Sequence, residues 1–238
     1  MTATLTHRPV PDAAGRPESL GRAFGRLFAL DSSEATELTL VRHAQPDYDQ
    51  ASDDDPTDPP LTNAGRCQAM RLAMRLRDAH IDALYASTMR RALETAAYIA
   101  ASRDLPIERS ESLREVRFDP TFAQVAGKNG ALSAELAQRF LLNPSWDALP
   151  GFEPSRQFRR RVIEAIEAIV ARHPGQRVVV VAHGGVINAY LSMVLGIERD
   201  MFFLPSHTSI TSLRVLRDLY AVRSLNDATH LPASLESY

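Results

Sequence analysis

The sequence predicts an α/β domain, a three-layer sandwich with a mostly parallel central sheet and helices on both faces. Three observations carry that prediction. The chain has 238 residues, 45% hydrophobic and 24% charged, enough apolar surface for one large domain or two small ones. Short apolar runs alternate with stretches of helical period, the pattern of βα units. Val178 to Ala182 is a continuous apolar run, as in a strand covered on both faces.

The elements follow in order. Residues 1 to about 16 lack periodicity and read as a tail. Leu20, Phe24, Leu27 and Phe28 then form one apolar face of a short helix, docked on the domain's own surface. Together these make an N-terminal extension, residues 1–36, ahead of the main domain at 37–238. Leu38 to Val41 is a strand that ends at Arg42-His43. Pro46 to Pro60 is irregular, with four prolines and six aspartates. Thr62 caps a helix through about Arg77. Ile81 to Ala86 is a second strand, and Ser87 is expected to cap a helix through Ala101. Ile107 begins a short extended piece. Leu132 to Leu142 reads as helix, stopped by Asn143-Pro144. Ser155 to Arg172 carries Phe158, Val162, Ala165, Ile166 and Ile169 on one stripe. Strand Val178–Ala182, a buried helix from Gly185 to Leu195, a strand at Ile210–Val215 and an edge strand at Ala221–Leu225 complete the chain.

Composition narrows the chemistry. The net charge of -2 argues against a nucleic-acid or polybasic membrane partner. Lys128 is the only lysine, so a Schiff-base lysine is not expected, while arginine forks suited to phosphate or carboxylate abound. The single cysteine, Cys67, excludes a disulfide framework within the chain and is expected to be packed. No run is long enough to span a membrane, and residues 1–17 contain no apolar leader core. A cytoplasmic location is the expectation, and a homodimer stays open.

His43 and His183 each follow an apolar strand. In an open parallel sheet, ligands bind beyond the carboxyl ends of the strands. If the two strands are neighbours, both imidazoles share one cleft. Arg42 precedes His43, and Gly184-Gly185 follow His183, offering backbone N–H groups at a helix start to an anion. Singly, each residue has a plain structural role; jointly they mark a site.

These residues carry a family resemblance. Leu40-Val41-Arg42-His43-Ala44-Gln45 resembles the Arg-His-Gly signature of the histidine phosphatase superfamily, the phosphoglycerate mutase-like enzymes. In the family's order come Pro60-Leu61-Thr62-Asn63-Ala64-Gly65 with Gln68-Ala69, then Ser87 to Ala96, then Leu113-Arg114-Glu115, then Val180 to Ile187. The resemblance implies a hydrolase for small phosphorylated molecules, with His43 as nucleophile through a phosphohistidine. It implies that Arg42, Arg91, His183 and Gly184 hold the phosphoryl group, and that His183 shares in catalysis. Glu115 would be the proton donor and then the base for water. It implies no metal and no other cofactor. Arg91 rather than Arg90 is selected because it directly precedes Ala92.

The sequence also departs from the pattern. Ala44 replaces a glycine, Asp49 stands where the family often has asparagine, and the usual glycine and tryptophan after the acid are absent. Glu111 and Asp119 therefore stand as fallback acids. His207 has two readings, cleft or surface, and is not placed in the site. A phosphoglycerate-type mutase and a non-catalytic binding module are the rival functions. The acidic segment and the scarcity of lysine favour hydrolysis over a mutase. If that segment folds over the cleft, it should favour monophosphates whose remainder is neutral or cationic.

Overall fold

The computed structural model describes residues 20–30, 32–52, 55, 57–101, 103–119 and 134–238. The expected tail, Asp53, Asp54 and the start of the Leu132 helix lie outside the described residues.

Six strands form one sheet in the order β3-β2-β4-β1-β5-β6. They are β1 (Thr36–Arg42), β2 (Ala83–Ser87), β3 (Ile107–Ser110), β4 (Arg177–Ala182), β5 (Ile210–Leu216) and β6 (Leu219–Asp227). The first four run parallel; β5 and β6 are antiparallel to their neighbours, with β6 at the edge. The alternation of side chains along β4 explains its unbroken apolar run. Val178, Val180 and Ala182 face one core cluster and Val179 and Val181 the other, so both faces are covered.

Helices α1 (Leu20–Ala29), α2 (Asn63–Leu76), α3 (Arg90–Ala100), α4 (Ala134–Leu142), α5 (Ser155–Arg172) and α6 (Gly184–Leu195) surround the sheet. Leu72 and Leu76 of α2 pack with Ala92, Ala96 and Ile99 of α3 on one face. Phe158, Val162, Ile166 and Ile169 of α5 pack with Val186, Ile187 and Tyr190 of α6 on the other. Thr62 caps α2 as expected, its hydroxyl accepting from Gly65 N at 2.8 Å. Along α1, Leu20, Phe24 and Phe28 are exposed. The apolar stripe of that helix therefore does not dock on the domain through these residues.

Two local expectations are corrected. Met89, not Ser87, is the N-cap of α3. Ser87 ends β2 and is fully buried, because the strand runs one residue past Ala86. Cys67 is exposed rather than packed; its neighbours Gln68 and Ala69 take the inward positions of α2.

Candidate active site

The site sits at the carboxyl ends of β1 and β4. Those strands pair in register, Arg42 beside Ala182, and His43 N donates to Ala182 O at 2.9 Å. The backbone therefore sets His43 against His183, with ring centroids 5.1 Å apart. Ala44, the substituted glycine, is buried and absent from the positive-φ residues, so its Cβ imposes no backbone strain.

Hydrogen bonds define the tautomer of His43. Nδ1 lies 2.8 Å from Ala44 O, an acceptor only, so Nδ1 carries the hydrogen. Nε2 then presents its lone pair and accepts from Arg91 Nε at 3.2 Å. Burial, followed by the charges of Arg91, His183 and Arg42, holds the His43 pKa well below the ordinary imidazole value. The ring is thus neutral, with Nε2 available as a nucleophile. Thr95 of α3 supports this loop: its Oγ1 accepts from Ala44 N at 3.0 Å.

His183 is buried and held neutral by the same means, burial first and Arg91 next. Its Nε2 meets Ser87 Oγ at 2.8 Å, while its buried Nδ1 has no hydrogen-bond partner among the described residues. Buried polar atoms are seldom left so; an oxyanion in the cleft would satisfy it. Arg42 is in the same state. Nη1 donates to Pro205 O, whereas buried Nε lacks a partner among the described residues. Arg91 Nη1 donates to Thr57 O at 2.9 Å. Burial pulls both guanidinium pKa values down from the ordinary arginine value, and both groups keep their charge at neutral pH. Gly184 adjoins this group: a Cβ there would lie 3.9 Å from Arg42 Nε.

Glu115 reaches the same cleft from the loop after β3. Its Oε2 accepts from Gly185 N at 3.0 Å and its Oε1 from Val116 N at 2.9 Å. The Gly185 N–H expected to face an anion from outside is therefore taken by the chain's own carboxyl group. A Cβ on Gly185 would collide with Glu115 Oε1, so glycine is required there by close approach. The fallback acids lie elsewhere. Glu111 is three-quarters exposed and 3.8 Å from Arg114, and Asp119 is exposed at a backbone bridge to Gly151.

Sequence reasoning missed three contributors. His207 is buried with its ring centroid 5.6 Å from that of His43, and burial pushes its pKa down to about 3. Its Nδ1 meets Ser237 Oγ at 2.9 Å. The next residue, Thr208, has φ 59°, a strained value for a β-branched residue, and donates through its N–H to Arg42 O at 3.0 Å. The fold places it there, with no local signal in the sequence: β5 runs antiparallel to β1, so the residues before it return to the end where His43 stands. Arg114 is the second contributor, its charge helping to depress His183. Ser87, read as a cap, is the third. The acidic segment does reach the cleft. Asp58 lies 3.9 Å from Arg91 and Asp55 3.9 Å from Arg114.

Two imidazoles, the buried Arg91 and part-buried Arg42 guanidiniums and a carboxyl group thus converge with unpartnered buried nitrogens between them. That arrangement suits a tetrahedral anion and its transfer. The profile of the histidine phosphatase superfamily (branch 1) matches residues 38–228. The chain belongs to this superfamily, and its class of chemistry is the hydrolysis of phosphate monoesters. Metal-independent phosphoserine phosphatase of Arabidopsis thaliana is 29% identical over 204 residues, covering 84% of each chain. Phosphoglycerate mutase-like protein 4 of the same plant is 29% identical over 209 residues, covering 86% of this chain and 90% of the relative. Among solved structures, YhfR of Bacillus stearothermophilus superposes with a TM-score of 0.67 at 30% identity, covering 82% of this chain and 99% of that one.

Proposed function

We propose that this enzyme hydrolyses small phosphomonoesters in two steps through a phosphohistidine on His43 Nε2. One observation carries the reading: neutral His43 donates Nδ1–H to Ala44 O, leaving its Nε2 lone pair beside Arg91 Nε. In the first step Nε2 attacks phosphorus, the P–O ester bond breaks, and Glu115 gives its proton to the departing alkoxide. In the second, Glu115 takes a proton from water, whose oxygen attacks phosphorus and releases His43 and inorganic phosphate. Arg42, Arg91 and His183 Nδ1–H offset the charge on the equatorial oxygens throughout, with Gly184 beside them. Arg91, buried, and Arg42, part-buried, supply that field without a metal ion or other cofactor. Residues 37–238 form the catalytic unit in this reading.

For substrates, the proposal is a monophosphate whose remainder is neutral or bears an amine, since Asp55 and Asp58 flank the arginines of the cleft. Phosphoserine, named for the Arabidopsis relative, is the first compound to assay. A small molecule in the cytoplasm suits the near-neutral net charge better than a nucleic acid.

Acid-labile, alkali-stable radioactivity should appear on the protein when phosphoserine labelled at phosphorus is quenched in alkali, and His43→Ala should abolish it. Labelling that persists in His43→Ala would overturn the mechanism. The mutase rival is tested by supplying 3-phosphoglycerate. Free phosphate should exceed 2-phosphoglycerate in the products, and rapid isomerisation with little release would reverse the choice.

A further inference from the structure

We infer that Arg161, on the outer part of the α5 face toward the acid loop, is the positioning residue for Glu115. The inference rests on the acid–base role proposed above for that carboxyl group.

Glu115 lies in irregular chain. A short helical turn at Glu111–Leu113 precedes it, and no regular strand or helix holds it. A carboxyl group that passes protons must stay within hydrogen-bond reach of the reacting oxygen. Misplacement by an ångström costs heavily in rate, so something must fix the loop. Arg161 does so with its full complement of donors. Nη1 donates to Ser112 O at 2.9 Å and to Arg114 O at 2.8 Å, and Nη2 donates to Glu115 O at 3.0 Å. Nε and Nη2 each donate to Glu153 at 2.7 Å. These contacts use every one of the guanidinium's N–H groups.

The guanidinium is itself held. Its carbon lies 4.8 Å from the centroid of the Phe158 ring, and Glu153, almost wholly buried, also accepts from Arg117 N at 3.2 Å. Phe158 links the two ends of the acid. Its Cζ would lie 3.3 Å from a Cβ on Gly185, the residue whose N–H receives the Glu115 carboxyl group. Glu115 is thus fixed at its carbonyl by Arg161 and at its carboxyl by α6, and α5 sets the spacing between them. Lysine could not substitute, because an ammonium has three donors and no planar fork.

A purely structural arginine would affect all substrates alike when replaced. A positioning residue for the acid should matter most where the leaving group needs a proton. The test compares propyl phosphate, a poor leaving group, with 4-nitrophenyl phosphate, an activated one. Arg161→Met should lower kcat/KM, which reports the step that expels the leaving group, at least about tenfold for propyl phosphate, within the span of general acid–base effects, and less than about threefold for the aryl ester. Arg161→Lys should show the same bias. Combining Arg161→Met with Glu115→Gln should add little to Glu115→Gln alone, since both remove one function. If Arg161→Met fails to fold, Glu153→Gln, which loosens the guanidinium from its far side, should show the same selective loss. Equal losses on the two esters, or losses that multiply in the double variant, would overturn the positioning role while leaving Glu115 as the acid. An unselective Glu115→Gln would instead remove the acid assignment, and this inference with it.

Discussion

His43 and His183 stand on the ends of paired strands, whereas Glu115 stands on a loop that no strand or helix contains. The histidines inherit their geometry from the sheet. Once β1 and β4 are in register, the residues after Arg42 and Ala182 must be neighbours. The acid inherits nothing comparable. Its place depends on Arg161, on the N–H of Gly185 and on the absence of a side chain there. A regular element therefore places chemistry through backbone pairing, while a loop needs a separate clamp of side chains.

Substitutions can break each half separately. On the histidine side, His43→Ala removes the nucleophile, and hydrolysis should fall by at least about a thousandfold whatever the leaving group, as covalent catalysis is lost. Steady-state assays with propyl and 4-nitrophenyl phosphate check this. On the acid side, Gly185→Ala forces a Cβ into the space of the Glu115 carboxyl group. Its kcat/KM should drop about tenfold to a hundredfold for the alkyl ester, within the range of general acid catalysis, and much less for the aryl ester. Equal losses in Gly185→Ala would show that the carboxyl group does not depend on this contact for its function.

The flank of the cleft offers a smaller effect. Asp55→Asn with Asp58→Asn should shift kcat/KM toward substrates that carry a second anion by a few-fold, more at low salt than at high, because the field is screened within about 10 Å at 0.1 M. An unchanged ranking of mono- and bisphosphates at low ionic strength would remove the aspartates from selectivity.

A separate effect concerns stability, read as a folding equilibrium rather than a rate. His43, His183 and His207 are neutral in the fold with depressed pKa values. In the unfolded chain they protonate below about 6.5. The unfolded state then binds more protons, so stability falls as pH drops below 6.5, by up to about 1.4 kcal/mol per pH unit for each such histidine. For His207 the loss continues until about 3. Urea titrations at pH 7 and 5.5 should show this slope, and His207→Asn should reduce it. A protein that gains stability over that interval would contradict the buried neutral histidines.

Much of the site was legible because its residues lie within a few positions of a recognisable local feature. Arg42 and His43 end a short apolar strand, and His183 and Gly184 stand between an apolar strand and a helix. Arg91 sits in the first turn of a helix. Thr62 was legible as a cap for the same reason, since a cap is a contact over three residues. Glu115 was legible only through a short motif, with Glu111 and Asp119 as rivals, because nothing local distinguishes three carboxyl groups in irregular chain. Arg161 was read merely as part of the helix Ser155–Arg172, although it does lie on the side of the acid loop.

The sequence by itself determined the alternation of strands and helices, the two-faced burial of β4 and the histidines and arginines, Arg42, His43, Arg91 and His183, that meet in the cleft. Periodicity and capping are local, and they act before the chain is packed. Only the tertiary structure decided that Ser87 faces His183 rather than capping α3, that His207 joins the pocket, and that Glu115, not Glu111 or Asp119, meets the N–H of Gly185. Each of these depends on a contact between residues far apart in the chain: Ser87 with His183, His207 with Ser237, Glu115 with Gly185 and Arg161. No local preference encodes such a contact. It exists because the sheet order brings β2, β4 and β1 side by side and α5 and α6 pack across them, so buried polar atoms must find partners where the fold has placed them.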